Sequence, residues 1–79
     1  MLQRKTSKKV FLYTLSCKSY ANYVMGRYDI SLELLEKILE KAPHDHESLL
    51  RKGFVLYKIQ RYDEALICLE TALLKSRVP

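Results

Sequence analysis

Between Tyr28 and Lys41 the apolar residues fall at Ile30, Leu32, Leu34, Leu35, Ile38 and Leu39. Within that set Leu32, Leu35 and Leu39 are spaced by three and four, the signature of one buried helix face. Further along, Leu66, Leu69, Ala72 and Leu73 repeat the spacing. Gly26 breaks the chain ahead of the first of these helices, and Pro43 with His44 and Asp45 breaks it behind. Asp45 has the chemistry of an N-cap for the next helix, with Glu47 favourable in its first turn. The pattern predicts four helices, near residues 8–25, 28–41, 46–59 and 62–76. The turns between them are short enough to force consecutive helices antiparallel.

Sliding the sequence over itself by 34 positions aligns residues 12–45 with 46–79 and gives eleven identities. They include Leu15/Leu49, Lys18/Lys52, Tyr23/Tyr57, the run Arg27-Tyr28-Asp29 against Arg61-Tyr62-Asp63, Leu32/Leu66, Leu35/Leu69, Glu36/Glu70 and Leu39/Leu73. Tyr20/Phe54, Ala21/Val55 and Met25/Ile59 are conservative pairs at the same offset. A period of this length marks a repeat in which each helical hairpin buries its apolar face on a neighbour. The expected organisation is a basic extension over 1–11 that runs into the first helix, one unit over 12–45 and a second over 46–79.

A 34-residue helix–turn–helix unit with this punctuation resembles the tetratricopeptide repeat. The second unit has Leu49, Gly53, Leu56, Tyr62, Ala65, Leu69 and Ala72 at the family's marked positions, and its "RYDEAL" is similar to the usual start of the second helix. In the first unit Leu15, Tyr28, Leu35 and Pro43 match, while Ser19 stands for the Gly and Ser31 for the Ala. Those are the small residues that let paired helices approach, so serine preserves the packing at some polar cost. Lys18 and Lys52 stand where the family has leucine, and Asn22 where it has tyrosine. The resemblance implies an all-α fold: antiparallel helix–turn–helix repeats stacked as a short α-solenoid of four helices.

Composition agrees with an all-helical domain. The chain has 79 residues, 48% hydrophobic and 29% charged, with only two glycines and two prolines, too few for a turn-rich β fold. No apolar run approaches the roughly 18 residues of a membrane span. The basic head and the apolar patch Val10–Ser16 before Cys17 have the outline of an export signal, but the patch is short and Thr14-Leu15-Ser16 is a poor lipobox. An intracellular, cytoplasmic location is expected, although the absence of any acid before Asp29 also suits a mitochondrial targeting segment.

Candidate chemistry is sparse. His44-Asp45-His46 is a histidine pair without further convergent ligands and sits where an inter-repeat turn belongs. Cys17 and Cys68 are far apart in sequence, form no CxxC motif and read as reduced packing or surface residues. Neither a glycine-rich phosphate loop nor a catalytic motif is present, so no enzyme, cofactor or metal site is expected.

What remains is a surface. In the family the first helix of each unit lines a concave groove for a peptide or helix. The matching positions here are Tyr13, Ser16, Tyr20, Tyr23 and Val24, then Glu47, Leu50, Phe54, Tyr57 and Lys58, with Arg51 supplying further charge. The same rings could equally fill the core between units. Residues 1–27 carry a net charge of +6 and 46–61 of +3, against −3 for 28–45 and −1 for 62–79. First helices are basic and second helices acidic, which favours an acidic ligand in the groove or merely draws the helices together. The lysine and asparagine set with which some members grip a C-terminal carboxylate is missing, since Ser16, Tyr20 and Arg51 occupy those places. The expected role is a non-enzymatic protein-interaction module or adaptor subunit, with no membrane partner. One alternative is an RNA-contacting protein that stacks bases on its basic, Tyr-rich face. Another is a structural subunit that only self-associates. Two units are few for a solenoid, so Leu66, Ile67, Leu73 and Leu74 are expected to leave apolar surface on the last helix for a homo-oligomer or neighbouring repeats.

Overall fold

Four helices follow one another along residues 3–77, the part of the chain that the computed structural model describes, with side chains described from 8 to 74. They are α1 (Gln3–Val24), α2 (Tyr28–Lys41), α3 (His46–Lys58) and α4 (Tyr62–Arg77). The last three match the hydrophobic periodicity to within a residue. Helix α1 begins five residues earlier than expected, because Gln3, Arg4, Lys5, Lys8 and Lys9 are good helix formers and no glycine or proline interrupts them. The basic extension is therefore helical from Gln3.

Both hairpins close with the same turn. After α1, the amide of Gly26 donates to the Tyr23 carbonyl at 3.0 Å and that of Arg27 to the Asn22 carbonyl at 2.8 Å. After α3, Gln60 donates to Tyr57 at 3.0 Å and Arg61 to Leu56 at 2.9 Å. This crossed pair of bonds is the Schellman helix stop, whose central residue takes a positive φ. Gly26 has φ of 80° and Gln60 of 67°. The turn between hairpins is built differently. Asp45 caps α3, its carboxylate accepting from the Ser48 amide at 3.1 Å and from the Ser48 hydroxyl.

Small residues set the closeness of each pair. A β-carbon on Gly53 would come within 2.6 Å of Leu69 Cδ2, so glycine is what allows α4 to lie against α3. The equivalent contact between α1 and α2 carries two serines. Ser19 and Ser31 are fully buried, and the Ser31 hydroxyl donates to the Ser19 carbonyl at 2.8 Å while the Ser19 hydroxyl donates to the Ser16 carbonyl at 2.8 Å. The expected polar cost is thus met by hydrogen bonds, and among the described residues no buried side-chain polar atom lacks a partner.

The core cluster is Leu15, Leu35, Ile38 and Val55, flanked by Leu12, Tyr23, Tyr28, Leu32 and Leu34. The buried seam of α2 runs through Ser31, Leu35 and Ile38 rather than Leu32, Leu35 and Leu39. Leu32 and Leu39 are half-buried on the adjoining face, which they share with Glu36 by three- and four-residue spacing. Glu36 meets Lys52 of α3 at 3.8 Å, so this face borders the junction between the hairpins, where Val55 of α3 packs with Leu35 and Ile38. The homologous face of α4 is exposed, with Leu66 and Leu73 each 57% accessible. Helix packing runs in sequence order: α1 on α2, α2 on α3, α3 on α4.

Candidate functional site

The face shared by α1 and α3 is where the periodicity concentrates aromatic rings. Tyr13, Ser16, Tyr20 and Tyr23 recur along α1 at three- and four-residue steps, and Glu47, Arg51, Phe54 and Lys58 do so along α3. Between the two helices lies an apolar cleft of about 180 Å³ walled by Tyr20, Tyr23, Arg51 and Phe54, with Ser31 and Val55 at its floor. A second cleft of about 290 Å³, lined by Tyr13, Ser16, Cys17, Tyr20, Glu47 and Arg51, shares Tyr20 and Arg51 with the first. The two clefts therefore form one trough with Arg51 at its middle.

Arg51 is fixed from three sides. Its Nη1 donates to Ser16 Oγ at 2.8 Å, its Nη2 lies 3.4 Å from Glu47 Oε2, and its guanidinium carbon stands 5.2 Å from the centroid of the Tyr20 ring. A cation over an aromatic face at this distance contributes about 0.5–1 kcal/mol near a surface. The Glu47 carboxylate is 71% exposed, so its pairing with Arg51 is screened and exchangeable. Within the trough, Arg51 therefore holds its guanidinium in a fixed orientation beside both clefts.

Aromatic residues also mark both hairpin turns. The rings of Tyr23 and Tyr28 are 5.7 Å apart at 58°, and those of Tyr57 and Tyr62 are 5.5 Å apart at the same angle. Tyr23 is half-buried against the core cluster, whereas Tyr13, Tyr20, Phe54 and Tyr57 are exposed. Tyr57, Lys58, Leu50 and Val24 do not line the two clefts: Leu50 is half-buried, and the other three are exposed. Leu66, Ile67, Leu73 and Leu74 are exposed along α4 and line neither cleft.

The remaining polar candidates have local roles. His46 Nδ1 lies 3.1 Å from the Ala72 carbonyl oxygen and ties the start of α3 to α4, while His44 is exposed in the turn. No group of three metal-ligating side chains occurs among the described residues. Both cysteines are free; Cys17 is exposed, and burial pushes the half-buried Cys68 thiol up from its ordinary value. No described helix is long and apolar enough to cross a membrane.

Of the residues expected in a groove, Tyr13, Ser16, Tyr20, Tyr23, Glu47, Arg51 and Phe54 line the two clefts, and Cys17, Ser31 and Val55 join them without having been expected there. Ser31 and Val55 carry no functional signature, although the pairing of Ser31 with Ala65 at the 34-residue offset marks a small position. The link from Ser16 to Arg51 was also invisible, since it joins residues 35 apart on two different helices.

Comparison with curated proteins gives no match. The family model of the tetratricopeptide repeat matches residues 25–78, from the first hairpin turn through α2, α3 and α4. That family generally mediates protein–protein interaction, and such repeats are typically non-enzymatic. With two thirds of its length under that match and four helices stacked as hairpins, the chain belongs to the tetratricopeptide repeat family.

Proposed function

We propose that this chain is a small non-enzymatic adaptor whose trough between α1 and α3 holds an acidic, partly apolar segment of another protein. The observation that carries the reading is the fixed position of Arg51, anchored by Ser16 and the Tyr20 ring, between two clefts lined by exposed aromatic side chains. Rigid rings offer contact area at little entropic cost, and a preoriented guanidinium recognises a carboxylate. Tyr20, Tyr23 and Phe54 would supply the apolar wall, Tyr13 and Tyr57 would extend it towards either end, and Lys58 would add a second positive charge. The net charge of +3 over residues 46–61 favours an acidic occupant.

Selection from a displayed peptide library tests this. Enriched peptides should combine Asp or Glu with Leu, Ile or Phe, and their binding should weaken when Arg51 is changed to Gln. Failure to enrich any such peptide, together with single-stranded RNA binding whose affinity falls steeply with salt, would transfer the surface to nucleic acid.

A further inference from the structure

The junction between the two hairpins is written a second time on the outer flanks of the molecule. At the junction, Glu36 of α2 meets Lys52 of α3 beside Leu32 and the fully buried Val55, which pack in one core cluster, and Leu39 shares that face of α2 by helical spacing. Lys52 Nζ lies 3.8 Å from Glu36 Oε2, which fixes the register of α3 on α2. Moving 34 residues along, α4 repeats the first set as Leu66, Glu70 and Leu73, all exposed. Moving 34 residues back, α1 repeats the second set as Lys18 and Ala21, and these are exposed too. Neither Lys18 nor Glu70 has an ion-pair partner among the described residues.

We infer that a second copy of this chain stacks head to tail, its α1 on the α4 of the first, with Lys18 of one copy meeting Glu70 of the other as Lys52 meets Glu36. Identity of both charged residues across the period, on the faces that the internal junction uses, is what selects this occupant. Charge on a larger scale agrees, since residues 1–27 carry +6 and residues 62–79 carry −1. Burial of Leu66 and Leu73 supplies the attraction, and the ion pair sets the register. The contact is heterologous and leaves a free α1 and a free α4 at the ends, so association is open-ended rather than closed at a dimer. This surface is separate from the trough and stands independently of what the trough binds.

Sedimentation velocity over a concentration series tests the inference, with circular dichroism showing that each variant stays helical. The wild-type sedimentation coefficient should climb with concentration without levelling at a dimer. K18E and E70K each place like charges at the junction and should weaken association several-fold. The double variant K18E/E70K should regain it, and an equimolar mixture of the two single variants should associate more strongly than either alone. A wild type that remains monomeric overturns the inference. So does undiminished association of K18E, the result given by a symmetric α4–α4 dimer or by any contact that leaves α1 out.

Discussion

Gly26 and Gln60, at the same place in the two repeats, hold the same left-handed backbone conformation, with φ of 80° and 67°. The hydrogen bonds around them correspond one for one. Glycine enters this region without penalty, whereas a residue with a β-carbon is strained there by roughly 1–2 kcal/mol. Less unfolded-state entropy offsets part of that strain for glutamine. Gln60→Gly should therefore stabilise the chain by about 0.5–1 kcal/mol, and Gly26→Ala should destabilise it by about as much. An alanine β-carbon at Gly26 meets nothing within 4 Å, so the loss would be backbone strain alone. Thermal unfolding followed by circular dichroism reads both, since about 1 kcal/mol moves the midpoint by some 4–8 °C at this size.

Gly53 and Leu69 limit how close α3 and α4 can come. A β-carbon at position 53 would lie 2.6 Å from Leu69 Cδ2 and 2.7 Å from its Cγ. Gly53→Leu should force the helices apart and cost about 1–3 kcal/mol, measured as a fall in the urea midpoint. An unchanged midpoint would mean that α4 does not rest on this position.

Ser31 combines two duties, since it packs α2 on α1 and forms the floor of the trough. Ser31→Ala reproduces the residue of the second repeat, Ala65, and should change stability by less than about 1 kcal/mol, the net worth of one hydrogen bond. Ser31→Leu should both overpack the pair and fill the cleft. It is expected to lower the unfolding midpoint and to exclude ligands that Ser31→Ala still binds.

The two thiols should differ in reactivity. Cys17 is exposed on α1, while Cys68 is half-buried with its thiol pushed up by that burial, leaving less thiolate near neutral pH. Alkylation followed by mass spectrometry at pH 8 should label Cys17 first. Raising the pH should accelerate Cys68 as its thiolate forms.

Most of the architecture was legible because the period was. Leu35 with Leu69 and Tyr28 with Tyr62 announced two equivalent hairpins, and Gly26, Pro43 and Asp45 placed the breaks. What the pattern missed has specific causes. Gln60 gives no turn signal of its own, and only its alignment with Gly26 reveals the left-handed stop. Leu39 looks like core because helical spacing alone cannot separate the fully buried seam from its half-buried neighbour; Ile38 takes the buried place. Helix α1 starts early because propensity, without any apolar stripe, suffices to extend a helix already anchored by Leu15 and Ser19. At the trough, the sequence supplied the rings of Tyr20 and Phe54 without their burial. It supplied Arg51 without the Ser16 hydroxyl and Tyr20 ring that fix it.

If the exposed rings on α1 and α3 bind a partner segment rather than hold the fold together, removing them should separate binding from folding. Tyr20 is 53% accessible and Phe54 is 49%. The decisive measurement compares the double variant Y20A/F54A with wild type, in binding of a library-selected acidic peptide by calorimetry and in helicity by circular dichroism. Peptide binding should be lost while the helical signal persists. Retained affinity, or a chain that unfolds with the two rings removed, would refute a binding role for these rings.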